Sequence, residues 1–231
     1  HMRRRSETNP IHIKIDQLRV FDPLTPHQKE AFDAWKQGNH LILSGSAGTG
    51  KTFIALYLAL QESLDKSTPY EEVRIIRSIV PTRDIGHLPG TAEEKLQAYA
   101  GPYKGVVSQL FERSDAYDTL VQQRDIAFES TSYLRGVTFD NSIVIVDELQ
   151  NLNFHELDSV ITRIGNNSKI IFCGDYYQTD FKREGEKKEC LEFIDIVEQL
   201  RNFSHIEFTW DDIVRSDFVR DYIMTKEMRR A

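Results

Sequence analysis

Only two cysteines occur in 231 residues, Cys173 and Cys190, which excludes a disulfide framework and a thiolate metal site. Cys173 lies in an apolar run and is expected to be buried packing. Long hydrophobic stretches are also missing. No run approaches the ~18 apolar residues that a membrane-spanning helix requires. A surplus of positive charge is absent as well: 29 Lys and Arg stand against 36 Asp and Glu, for a formal net charge of −7. That balance excludes a general cationic coat for nucleic acid. It leaves local basic spots at Arg3-Arg4-Arg5, at Arg74, Arg77 and Arg83, at Lys182-Arg183 and Lys187-Lys188, and at Lys226 with Arg229-Arg230. There is no internal repeat or low-complexity tract. The polar, charged start does not read as a secretory signal and His1-Met2 resembles a tag remnant, so the cytoplasm is the expected compartment. With 40% hydrophobic residues the chain can build one large core. Two full nucleotide-binding lobes would be cramped at this length.

Against that background one string stands out. Gly45-Ser46-Ala47-Gly48-Thr49-Gly50-Lys51-Thr52 is a complete G-x-x-x-x-G-K-T loop. The apolar run Leu41-Ile42-Leu43 precedes it as a strand would, and the helix-compatible run Phe53 to Leu60 follows. The glycines let successive backbone N–H groups face phosphate oxygens. The following helix then offers its unpaired N–H groups and positive dipole end to the same anion. In this setting Lys51 reaches the β and γ oxygens of a nucleoside triphosphate, and Thr52 supplies a ligand for Mg²⁺. ATP with Mg²⁺ is therefore the expected ligand.

A second constellation follows downstream. Ile143-Val144-Ile145-Val146 is an unbroken β-branched run, the pattern of a parallel strand buried on both faces, and it ends in Asp147-Glu148. Asp147 is expected to hold Mg²⁺ and Glu148 to polarise the attacking water. A third strand signal, Lys169 to Cys173, ends in Gly174-Asp175, with Gln178 shortly after. In an open α/β sheet the carboxyl ends of the strands share one rim, so Thr52, Asp147, Glu148 and Gln178 are expected to meet at one phosphate. Gln178 would sense the γ-phosphate or orient water. Upstream, Thr25-Pro26-His27-Gln28 reads as a helix start with Thr25 as N-cap, Pro26 at the first position and Gln28 at the third. Gln28 has two comparable readings on spacing alone: a capping side chain, or an amide that pairs with adenine N6 and N7.

The order of these strings resembles the PhoH-like ATPases, relatives of superfamily 1 helicases. The resemblance runs over about 22–224 through Thr25-Pro26-x-Gln28, the P-loop, Leu88-Pro89-Gly90 with Glu94-Lys95 and Pro102-Tyr103, Tyr133-Leu134-Arg135-Gly136, and Asp147-Glu148-x-Gln150-Asn151. It continues through Thr162-Arg163-Ile164-Gly165, Gly174-Asp175-x-x-Gln178-x-Asp180 and Phe208 to Arg215. The family's usual Asp-Glu-Ala-Gln has Leu149 here. The resemblance implies an α/β, RecA-like P-loop NTPase with a three-layer fold and a mainly parallel central sheet. It places the P-loop and Walker B strands on either side of the strand ending at Cys173, and it favours adenine reading by Gln28. The expected organisation is an N-terminal extension over 1–21 and a single ATPase domain over 22–231, with a linker-like insertion about 81–102. Strands are expected at 40–44, 73–78, 126–129, 143–147, 169–173 and 205–209. Helices are expected at 26–37, 50–64, 103–113, 154–163, 188–200 and 211–224.

Superfamily 1 motors complete the ATP site with an arginine from a second lobe. With room for one lobe, the resemblance implies that Arg163 or Arg215 serves a neighbouring subunit in a homo-oligomeric, hexameric ring. The expected activity is a helicase-like ATPase on single-stranded RNA or DNA, with the insertion and Tyr99 or Tyr103 as strand contacts. The alternative is an ATP-dependent oligomeric switch acting on a protein partner, which the acidic net charge favours.

Overall fold

The computed structural model describes residues 12–79, 90–134, 136–176 and 184–230. Helix α1 (Pro26–Lys36) leads into β1 (His40–Ser44), and the loop after it into α2 (Lys51–Ser63). Then come β2 (Glu72–Arg77), α3 (Ala92–Gln97), α4 (Gly101–Phe111), α5 (Ala116–Gln122) and β3 (Ile126–Ser130). The chain continues through β4 (Ser142–Val146), α6 (Phe154–Ile161), β5 (Lys169–Gly174), α7 (Glu184–Glu198), β6 (Phe203–Glu207) and α8 (Asp217–Arg230).

The six strands form one sheet in the order β3-β2-β4-β5-β1-β6, and every pairing is parallel. Strand β5 separates β1 from β4, pairing Ser44 with Gly174 on one side and Val146 with Phe172 on the other. The sheet is therefore the α/β, RecA-like arrangement, with helices on both faces. Alternation along the strands produces its two cores. Leu41, Leu43, Ile143, Ile145, Ile171 and Cys173 face the layer built by α1, α2, α4 and α5. Ile42, Val144, Val146, Ile170 and Phe172 face the residues of α6 and α7. Burying each such side chain contributes about 1.5–3 kcal/mol, so the central strands dominate the stability of the sheet. Helix α2 is apolar on nearly all sides, with Ile54 through Leu60 buried, because it lies between the sheet and α1 and α4.

All six expected strands are present, with β2 and β4 starting one residue earlier than expected and β6 two. The helices differ most in three places. The stretch from Thr91 is helical rather than linker-like: Thr91 Oγ1 accepts from Glu94 N and the Glu94 carboxylate accepts from Thr91 N, a complete capping box that opens α3. Positions 81–89 of the expected insertion lie outside the described residues. Helix α5 is seven residues long, too short for its apolar periodicity to stand out. The helix expected from position 211 begins instead at Asp217. Asp212 is drawn inward, where its carboxylate accepts from Thr209 N at 2.8 Å and Thr25 Oγ1 at 2.5 Å and pairs with His27 Nδ1 at 2.6 Å. That ties residues 210–212 into a single 3₁₀ turn and joins it to the start of α1.

Ile145 is fully buried at the centre of the sheet. Ile145→Ala should lower the unfolding free energy by about 2–5 kcal/mol, the cost of a core cavity. Urea denaturation followed by circular dichroism measures it, and a loss below about 1 kcal/mol would contradict the packing described.

Candidate functional site

Strand β1 ends at Ser44 and the chain turns through Gly45, Gly48 and Gly50, whose φ angles are 137°, 82° and 86°. Gly50 is the left-handed N-cap of α2, a conformation a side chain resists. It aims the first N–H groups of α2 into the loop. Gly45 N donates to Gly174 O at 3.2 Å, tying the loop to the end of β5. Lys51 curls over this turn, donating to Gly45 O at 2.5 Å and Ser46 O at 2.7 Å. Burial pushes the Lys51 ammonium below its usual pKa, and Asp175, Glu148 and Asp147 pull it back up. Those three carboxylates thus lie within electrostatic reach of the P-loop lysine, on the carboxyl rim of the sheet.

The acidic pair sits where β4 ends. Asp147 N donates to Ile76 O at 2.9 Å, so the residue continues the strand line into the rim. Its carboxylate accepts twice, from Tyr103 Oη at 2.7 Å and from Glu148 N at 2.9 Å. Glu148 then takes a left-handed conformation, φ 51° and ψ 47°, and turns the chain sharply. Gln150 Nε2 donates to Glu148 Oε2 at 2.6 Å, while Gln150 Oε1 accepts from Asp175 N at 3.1 Å. One amide therefore holds the second acid against the end of β5. Glycine suits this approach at position 174, because a Cβ there would collide with Gln150 Oε1 and Leu149 Cγ and crowd Leu149 N. Leu149 itself is fully buried, so an apolar residue suits that position.

Beside the loop a cavity of about 300 Å³ opens, lined by Gly48, Thr49, Gly50, Gln28, Phe53 and Arg215 among others. Phe21 and Phe53 meet edge to face at 5.1 Å and supply apolar wall. The capping role falls to Thr25, and Gln28 braces the turn before α1 while bordering the cavity. Its Oε1 accepts from Leu24 N at 2.8 Å and its backbone N donates to Thr25 Oγ1 at 3.2 Å, while its side chain lines the cavity.

Thr52 follows Lys51 in the first turn of α2. Gln178 lies outside the described residues. The two candidate arginines separate. Helix α6 carries the chain from the carboxyl rim back to the amino edge of the sheet. There Arg163 O accepts from Phe139 N at 2.8 Å, and the Arg163 side chain donates to Ser159 Oγ at 3.3 Å and Val137 O at 3.2 Å. Arg215 is exposed and lines the cavity of its own chain. Tyr103 requires a correction: at 1% exposure it has no face to offer a nucleobase, and its hydroxyl is committed to Asp147. Sequence reasoning also passed over Gln150 as a site residue, although it stands two positions after the acid it holds. Asp175 was read as the polar end of its strand but not assigned to the site.

The model of the family described as PhoH-like protein matches residues 20–226. Among curated relatives, Protein PhoH2 of Bacillus subtilis is 38% identical over 144 residues, covering 61% of this chain and 32% of that protein. The PhoH-like protein of Synechocystis is 34% identical over 157 residues, covering 68% of this chain and 47% of the relative. The PhoH-like protein of Mycobacterium leprae is 28% identical over 221 residues, 94% of this chain and 62% of the relative. The chain thus spans between about a third and three fifths of the length of these relatives. Among solved structures, the large terminase of a thermophilic bacteriophage shares the fold, with a TM-score of 0.52 at 12% identity, over 90% of this chain and 50% of that one.

Gly174→Ala should force the Gln150 and Leu149 side chains away from β5, costing about 1–3 kcal/mol by overpacking. Thermal melts of the variant beside Gly185→Ala, whose added Cβ meets nothing, check this. Equal melting temperatures for the two would remove the steric role assigned to Gly174.

Proposed function

Because this chain belongs to the PhoH-like family, we propose that it hydrolyses ATP with Mg²⁺ and couples the hydrolysis to single-stranded RNA or DNA, as a ring of identical subunits. The observation that carries the nucleotide half is the meeting of the Lys51 loop and the Asp147, Glu148 and Asp175 carboxylates on one rim, beside a base-sized cavity. The donor chemistry suits Mg²⁺, since Thr52 and Asp147 offer hard oxygen ligands. Among the described residues no group of three or more His, Cys, Asp or Glu could hold a metal by itself. That is the situation of an ion that takes its remaining ligands from phosphate and water. When bound, Mg²⁺ would neutralise charge developing on the transferred phosphoryl group.

The chain's own residues supply the rest. The N–H groups of 45–52 cradle the phosphates, and Lys51 exchanges its loop carbonyls for β and γ oxygens. Gln28 pairs with adenine at the far end of the cavity. Gln150 holds Glu148 Oε2, which leaves the other oxygen of Glu148 to accept a proton from the attacking water. Gln178 is proposed to sense the γ-phosphate. Arg215, on the cavity rim, suits the nucleotide of its own chain, which leaves Arg163 to reach across a subunit boundary. An arginine supplied in trans is worth about 10³–10⁵ in kcat, so dissociated subunits turn over slowly. The nucleic-acid half is supported by the resemblance to superfamily 1 helicases and by Arg77, whose guanidinium lies 5.2 Å over the Tyr99 ring at the end of β2. Such cation–aromatic pairs suit stacked, single-stranded bases.

A second reading, an oligomeric switch with a protein partner, is favoured by the net charge of −7. Among the described residues no helix is long and apolar enough to cross a membrane, and a cytoplasmic location is part of the proposal. So is the division into an extension over 1–21 and one ATPase domain from 22 onward.

Lys51→Ala should abolish productive nucleotide binding, whereas Glu148→Gln should bind ATP normally and lose at least about 10²-fold in kcat, the scale of general-base removal. Wild-type turnover by Glu148→Gln would eliminate it as the base. ATPase rate per subunit should rise with protein concentration and again, several-fold, with single-stranded polymer. A rate indifferent to polymer selects the switch reading, and one indifferent to concentration speaks against the ring. Mixing Lys51→Ala with Arg163→Ala subunits should restore activity that neither has alone, and no rescue would count against a shared site.

A further inference from the structure

The hydroxyl of Tyr103 donates to Asp147 Oδ2 at 2.7 Å, and the surroundings of this bond are unusual for a structural tyrosine. Tyr103 is carried by the first turn of α4, which follows α3 and the 98–100 turn at the end of the expected insertion. Its ring is buried edge-on against Phe128, centroids 5.3 Å apart. Arg77 lies beside the same phenol at the end of β2, and its guanidinium also lies over the Tyr99 ring.

The other oxygen of Asp147 accepts from Glu148 N at 2.9 Å. One donor on each oxygen stops rotation of the carboxylate. It also leaves each oxygen a second lone-pair direction free for a metal or its waters. We propose that Tyr103, backed by Arg77, is a positioning residue that presents Asp147 to magnesium-bound nucleotide. The inference rests on the reading of Asp147 as a metal-holding acid. The same contacts link that acid, through Arg77, to Tyr99 on the segment proposed to meet nucleic acid. Partners of this kind orient a ligand without touching the metal, and losing one typically lowers metal affinity about 10–100-fold.

The test is the binding of a fluorescent ADP analogue to the full chain, first in EDTA and then as Mg²⁺ is titrated, for the wild type, Tyr103→Phe and Asp147→Asn. Tyr103→Phe keeps the ring and its packing. Its EDTA affinity should match the wild type, while the Mg²⁺ midpoint should rise about tenfold. A purely structural tyrosine would instead weaken binding equally with and without Mg²⁺. Asp147→Asn separates the two levels of the argument. If it raises the midpoint and Tyr103→Phe does not, the positioning role is overturned while Asp147 keeps its part. If Asp147→Asn leaves the midpoint unchanged, both assignments fall. Should Tyr103→Phe not fold, Arg77→Met removes the cation behind the phenol. It should move the midpoint in the same direction, and an unchanged midpoint there overturns the proposal.

Discussion

The parallel pairing of β1, β5 and β4 is the constraint on which the rest depends. These strands are buried on both faces, so none can slip in register by one residue without turning its apolar set to the wrong core. Parallel pairing brings their carboxyl ends to one rim. Ser44, Gly174 and Val146 end there in neighbouring strands, and the residues that follow each of them have nowhere else to go. The chemistry of the site is thus a consequence of hydrophobic alternation several residues earlier in each strand.

At that rim the structure holds charge by hydrogen bonds that cross between elements. Gln150 joins Glu148 to the backbone after β5, and Gly174 is small so that this contact can form. Tyr103 and Glu148 N divide the oxygens of Asp147 between them. Asp212 fastens the segment after β6 to the start of α1, which brings Gln28 and Arg215 to a common cavity. Three separate stretches of chain therefore shape one pocket around the loop at 45–52.

The central strands were legible because β4 and β5 are short apolar runs rich in β-branched residues and buried on both faces, and β1 is an apolar run that leads into the P-loop string. Helix α5 and the start of α8 were not legible. The first is too short for a period to emerge. The second was displaced by Asp212, whose partners Thr25 and His27 lie nearly the whole chain away. Tyr103 misled for a related reason: an aromatic bordering a linker-like, proline-bearing stretch suggests an exposed stacking surface. Its burial depends on α4 packing against α5 and α2, which sets the ring against Phe128 of β3, and local sequence does not encode that.

The sequence by itself pointed to the ligand class, while the place of β5 between β1 and β4 was implied by the family resemblance. The P-loop string, the Asp147-Glu148 strand end and the Gly174-Asp175 strand end each carry their chemistry locally, in backbone conformation and residue type. Only the tertiary structure decided which side chains orient those groups, that Gln28 both braces the turn before α1 and lines the cavity, and that Arg163 and Arg215 stand at different edges of the sheet. Such relations are distances between residues far apart in the chain, and they exist only once the two cores have closed around the sheet.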